Sequence, residues 1–169
     1  MARTKKVSDL QINEDMEFQK RSWIIQRIGW AIFTLTILLA FLGLFGDGPL
    51  SNARAGQEGA FWLEYPRFGR FANEFRIEAH IDEGIAAADE IGIHLDASYL
   101  DGIQVSRITP TPDRELRDAN GITYVFTTDG QRSPQTIYFD VIPQKVGVLS
   151  GTFQLQDRAG VRFSQFIYP

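Results

Sequence analysis

The 169-residue sequence has no cysteine and only two histidines. The absence of thiols excludes a thiolate nucleophile, cysteine-ligated zinc or copper, and CxxC redox chemistry. It is compatible with life outside the cytoplasm, because a domain of about 100 residues with an adequate core needs no disulfides. Bases are in the minority, 17 Lys and Arg against 21 Asp and Glu, for a net charge of −4. A chain of that balance offers no basic stripe for nucleic acid. No serine sits in a GxSxG elbow, and no glycine-rich phosphate loop is present. Carboxylate pairs such as Asp82-Glu83 and Asp89-Glu90 read as solvated loops of an acidic domain. These absences together point to a protein that is not an enzyme and carries no cofactor.

Charge is also missing from one particular stretch. From Ile28 to Phe45 there is no Asp, Glu, Lys or Arg, and only Gly29, Thr34, Thr36 and Gly43 interrupt the large apolar side chains and alanine. A helix of that length covers roughly 27 Å, close to the hydrocarbon thickness of a bilayer. In lipid every backbone polar group must bond internally, so a lone apolar segment is expected to be a helix. The expected membrane helix is 22–46. Residues 1–27 carry six bases and four acids, and the remainder eleven bases and seventeen acids. The positive-inside rule therefore puts the N-terminus in the cytoplasm and the acidic domain outside. The long polar flank and the length of the apolar run favour a retained anchor over a cleaved signal peptide. Trp23 and Trp30 suit the inner interface, and Arg27 can reach back to the headgroups. Thr36, Ala40 and Gly43 fall on one narrow face of small residues, a candidate surface for helix–helix packing.

The chain thus divides into a cytoplasmic tail (1–21), the membrane helix (22–46), a linker (47–59) begun by two glycines and Pro49, and a domain over 60–169. After residue 60 the period changes from helical to alternating. Eight segments carry the strand pattern: 61–65, 75–81, 91–96, 103–108, 123–128, 136–142, 147–155 and 161–167. Turn signals such as Asp101-Gly102, Asn120-Gly121 and Asp129-Gly130 separate them, while only 84–90 suggests a helical turn. Many short strands at this spacing predict a mainly β fold, an antiparallel sandwich behind a single N-terminal membrane helix.

The Thr109-Pro110-Thr111-Pro112 bend, the apolar strand 138–142, Lys145-Val146-Gly147 and the final hairpin 151–163 resemble the immunoglobulin-like sandwich family, without its Cys…Trp…Cys signature. The segments Gln26-Arg27-Ile28-Gly29-Trp30 and Gly46-Asp47-Gly48-Pro49-Leu50-Ser51 resemble a group of uncharacterised bacterial single-pass proteins that accompany YetF-like integral membrane proteins. That resemblance implies an accessory role at the bacterial inner (cytoplasmic) membrane, with the C-terminal domain on its periplasmic side.

Two sets of residues are candidate sites. If strands 75–81 and 91–96 pair, His80 and His94 share a polar face with Glu78 and Asp96, a conceivable zinc or copper site. The segment 61–71 holds five aromatics and two arginines, residue types that dominate interface energetics and also suit lipid headgroups. Trp62, Arg67, Phe68 and Arg70 are its candidate partner-binding residues, with Phe61 and Leu63 assigned to the core. The expected function is that of a non-enzymatic, membrane-anchored accessory subunit. Its outer domain docks on an integral membrane partner or a second copy, with lipid around its helix and no nucleic acid. The alternatives are an anchored metal-binding or metal-delivery protein using the two histidines, and an envelope sensor.

Overall fold

The structure, a computed structural model, describes residues 16–41, 51–82, 90–127, 135–155 and 160–169. They form two units, an N-terminal helix and a β domain. The helix, α1, runs over Met16–Phe41. It starts six residues earlier than the apolar run alone predicts, because Glu17, Gln19, Lys20 and Arg21 are good helix formers and no glycine or proline intervenes. Residues 16–21, expected in the tail, are therefore helical, while 42–46 and with them Gly43 lie outside the described residues. The Thr36 hydroxyl donates to the Ile32 carbonyl at 2.9 Å, so a polar side chain is satisfied within the helix itself.

The β domain is mainly strand. In chain order these are β1 (Asn52–Gln57), β2 (Phe61–Pro66), β3 (Phe68–Arg70), β4 (Phe75–Ile81), β5 (Glu90–Asp96), β6 (Ile103–Thr109), β7 (Arg114–Arg117), β8 (Gly121–Thr127), β9 (Gln135–Pro143), β10 (Gly147–Leu155) and β11 (Val161–Tyr168). A single helical turn, α2 (Ala97–Leu100), follows β5, capped by the Asp96 carboxylate on Tyr99 N. The first sheet has the order β1-β2-β4-β9-β6, and the second β3-β11-β10-β5-β8-β7.

The eight alternating segments all appear as strands over their described residues, Thr128 at the end of 123–128 lying outside them. The three additional ones carry almost no alternation to read. β1 buries only Ala53, β3 has three residues, and every residue of β7 is exposed. Asn52–Gln57, expected as linker, is instead an edge strand, because its backbone finds partners along β2 from Pro66 to Phe61. The expectation of a wholly antiparallel fold is also corrected. β3 pairs parallel to β11, making the second sheet mixed.

The inward positions of both sheets build one core. Its spine is aromatic and passes between sheets: Tyr65 on β2, Phe163 on β11, Phe153 on β10, Phe139 on β9 and Tyr124 on β8, with consecutive ring centroids 5.1–5.9 Å apart and edge-to-face. Tyr99 closes onto Phe163 at 4.8 Å. Its buried hydroxyl donates to Gln165 Oε1 at 2.7 Å, and Gln165 Nε2 donates to the Pro66 carbonyl at 2.8 Å. Burial pushes the Tyr99 phenol well above its ordinary range, so it remains a donor. This relay satisfies the one buried amide of β11 and ties α2 to β2.

Candidate functional site

The two histidines are not brought together. β4 lies between β2 and β9 in the first sheet, whereas β5 lies between β10 and β8 in the second. The shared face expected for His80 and His94 therefore does not exist, because alternation shows which side of a strand is polar but not which sheet the strand joins. His94 Nδ1 is 3.0 Å from Thr123 Oγ1 on the neighbouring β8. Among the described residues no group of three or more His, Asp or Glu side chains is placed to hold a metal ion.

His80 belongs to a different assembly, on the outer face of the first sheet. Cross-strand register puts Trp62, His80 and Thr136 side by side on β2, β4 and β9. The Trp62 and His80 rings stack at 3.8 Å with 10° between planes, and the Arg54 guanidinium lies 5.0 Å from the indole centroid. His80 Nδ1 is 3.0 Å from Thr136 Oγ1. Its Nε2 is buried without a hydrogen bond among the described residues, 3.5 Å from Glu78 Oε2. Burial lowers the His80 pKa below the ordinary 6.5, aided by Arg54, and this outweighs the opposing fields of Glu78 and Glu64. A neutral imidazole can stack flat on indole without losing hydration of a charge.

A pH dependence follows. The unfolded chain takes up the His80 proton at a higher pH than the folded one, so this group's contribution to stability is present above about pH 6.5 and is lost as pH falls through the lower folded value. Melting temperatures between pH 7.5 and 5 are expected to fall with acidification, and H80Q to flatten that part of the slope. An unchanged slope in H80Q would assign the dependence to other groups.

The candidate partner-binding residues split between the two sheets. Trp62 is half-buried under His80 and Arg54 in the first. Arg67 is exposed beside the second, where Phe68 and Arg70 occupy β3. There Phe68 pairs with Phe166 on β11, which pairs with Val148 on β10. All three are on the outer face, Val148 69% and Phe166 47% exposed, so three strands present a contiguous apolar row. Arg67, Val148, Ser164 and Phe166 line one shallow hollow of about 330 Å³.

Val148 and Phe166 escaped the sequence reading although one of them left a trace. Along β11 the inward set is Val161, Phe163, Gln165 and Ile167. At 165 and 166 the polar and apolar residues are exchanged, an amide facing inward and a phenylalanine outward, before Ile167 resumes the inward apolar set. The Tyr99 relay absorbs the amide, and the phenylalanine is left on the surface.

A second hollow, of about 550 Å³, opens between β6 and β7–β8, lined by Val105, Ile108, Ile122, Arg107, Glu115 and Arg117 among others. It is the seam where the two sheets end beside each other. Thr36 and Ala40 are both exposed on α1.

No protein-family model matches the chain, and no curated protein matches it in sequence.

Proposed function

We propose that this protein is a single-pass, membrane-anchored interaction subunit without catalytic activity. On this reading α1 crosses the bacterial inner membrane with the N-terminus in the cytoplasm, and the β domain stands on the periplasmic side against an integral membrane partner. The observation that carries it is the character of α1. Its span Gln19–Phe41 has a mean hydropathy of 1.8 over its most apolar window, and none of that window is buried within the molecule. Trp23, Ile28, Trp30, Phe33, Leu35 and Leu38 are more than half exposed around the whole helix. A helix apolar on every side, with no polar face to lie on a surface, is at home only in lipid or against other helices. Arg27 stacked on Trp23 at 3.6 Å fits the cytoplasmic interface.

The strand order supports an immunoglobulin-like assignment for the domain. β2-β4-β9-β6 corresponds to the A-B-E-D sheet, and β11-β10-β5 to G-F-C. β3 is then a continuation of the first strand that has crossed to the opposite sheet, and β7–β8 an inserted hairpin. Domains of this architecture serve many ends, so the interaction role rests on the anchor and the exposed surface, not on the fold.

Alkaline extraction of membranes tests the anchor. The native chain is expected in the pellet. L35R, at about 3 kcal/mol for an arginine near the helix centre, should move a measurable fraction into the supernatant. Native chain recovered in the soluble pool would overturn the proposal. Purification in mild detergent tests the subunit role, where co-purification of an integral membrane protein is expected and a solitary monomer would count against it.

A further inference from the structure

At one end of the second sheet three strands without a carboxylate lie side by side, whereas β1, β6 and β8, which also have none, each lie beside an acid-bearing strand. β3, β10 and β11 contain no aspartate or glutamate at all, in a chain where acids outnumber bases. The next strand, β5, carries Glu90 and Asp96, and the first sheet carries Glu64, Glu78 and Asp140. On the outer face of these strands Phe68, Phe166 and Val148 form the apolar row, and Arg70 and Arg162 project on the same side, with Asp96 of the adjoining β5 lining one hollow with Arg162. Arg67 borders the hollow between Val148 and Phe166. None of the three arginines forms an ion pair among the described residues, nor does Arg107 on β6, whereas Arg54, Arg76, Arg114 and Arg117 each do.

This end of the sheet is also where the chain arrives from the helix. The Ser51 carbonyl accepts from Arg67 N at 2.6 Å, and the Arg67 carbonyl accepts from Phe166 N at 2.8 Å. Nine residues separate Ser51 from Phe41, the last described residue of α1.

We propose that the face formed by Val148, Phe166, Phe68 and Arg67, Arg70, Arg162 docks on the anionic headgroup layer of the bilayer. The proposal rests on the anchored reading of α1. Guanidinium groups without carboxylate partners pair with lipid phosphates, and phenylalanine and valine enter the headgroup–acyl boundary beside them. Docking holds the domain flat at the surface, which leaves the His80–Trp62 face of the other sheet on the far side of the core, available to a protein partner.

The absence of cysteine makes the test direct. V148C, at an exposed position, is labelled with an environment-sensitive fluorophore, and E115C on β7 at the opposite edge of the same sheet serves as control. The full chain is reconstituted in phosphatidylcholine vesicles with and without phosphatidylglycerol, including spin-labelled lipid as quencher. Expected are a blue shift and quenching at 148 and not at 115, stronger with the anionic lipid. R67Q/R70Q/R162Q should lower the docked-to-undocked ratio roughly a hundredfold, at about fivefold per arginine. A chain that floats with the vesicles while the label at 148 remains as solvent-exposed as that at 115 overturns the docking proposal and leaves the anchor standing. Flotation that requires phosphatidylglycerol overturns the anchor and supports the docking face. No flotation in either lipid overturns both. Protection at 148 only when a membrane-protein partner is co-reconstituted overturns lipid as the occupant.

Discussion

F153A is expected to destabilise the β domain by about 3–5 kcal/mol, lowering its melting temperature by roughly 12–20 °C. Phe153 is fully buried at the crossing of the aromatic spine, edge-on to Phe139 at 5.2 Å and Phe163 at 5.5 Å, with Tyr99 at 6.5 Å. Its removal takes away the ring's transfer free energy and leaves a cavity between two sheets that a rigid hydrogen-bonded framework cannot close. The loss is not local, because Phe139 is contributed by the first sheet and Phe163 by the second. Chemical or thermal unfolding followed by near-ultraviolet circular dichroism measures it. F166A on the same sheet, 47% exposed on the outer face, is the comparison, and is expected within about 0.5 kcal/mol of the native chain. Equal effects of the two substitutions would contradict the inward–outward assignment of β11 and β10.

A similar loss, about 3–5 kcal/mol, is expected for G121A through a different physical route. Gly121 opens β8 with φ +156°, and a Cβ there would lie 1.9 Å from the Leu95 carbonyl oxygen and 3.1 Å from Ala97 N. Both obstacles are backbone, so no rotamer change relieves the clash. The chain must shift at the point where β5 becomes α2. That shift threatens three hydrogen bonds: Ala97 N to the Asn120 carbonyl at 2.6 Å, Asp118 N to the Gly121 carbonyl at 3.0 Å, and Gly121 N to Asp118 Oδ1 at 2.9 Å. It also displaces α2 and hence Tyr99, whose hydroxyl holds Gln165. A loss below about 1 kcal/mol would mean that this corner adjusts at little cost, and would argue against the described packing of β8 under α2. Asn120-Gly121 was readable as a turn signal. That the glycine is required by the approach of a neighbouring strand was not.

The sequence carried the parts of this fold that depend on local periodicity. Eight strands with buried alternate residues were legible because each had to place a row of apolar side chains on one face. β1 and β7 were not, because edge strands need only a neighbour's backbone, and NARAGQ and RELR carry no row to bury. The candidate site was legible in part for the same reason. Arg67, Phe68 and Arg70 stood out as a dense cluster in sequence, but Val148 and Phe166 are separated from them by about 80 and 100 residues. Only the pairing of β3 with β11 and of β11 with β10 makes them one surface. The His80–His94 expectation failed in the mirror sense, since strands adjacent in sequence entered different sheets.

What the sequence by itself determined is the long apolar helix, the β character of eight of the strands after it and the side of each of those eight that is apolar. These are properties of neighbouring residues and of the solvent each one prefers. Tertiary structure alone decided which strands became neighbours, and so whether His80 met His94 or Trp62, and whether Phe166 was a stray surface ring or one member of a row. Strand pairing is a choice among backbone edges that all offer the same N–H and C=O groups, and it is made by the fit of whole faces across the core rather than by any residue read alone.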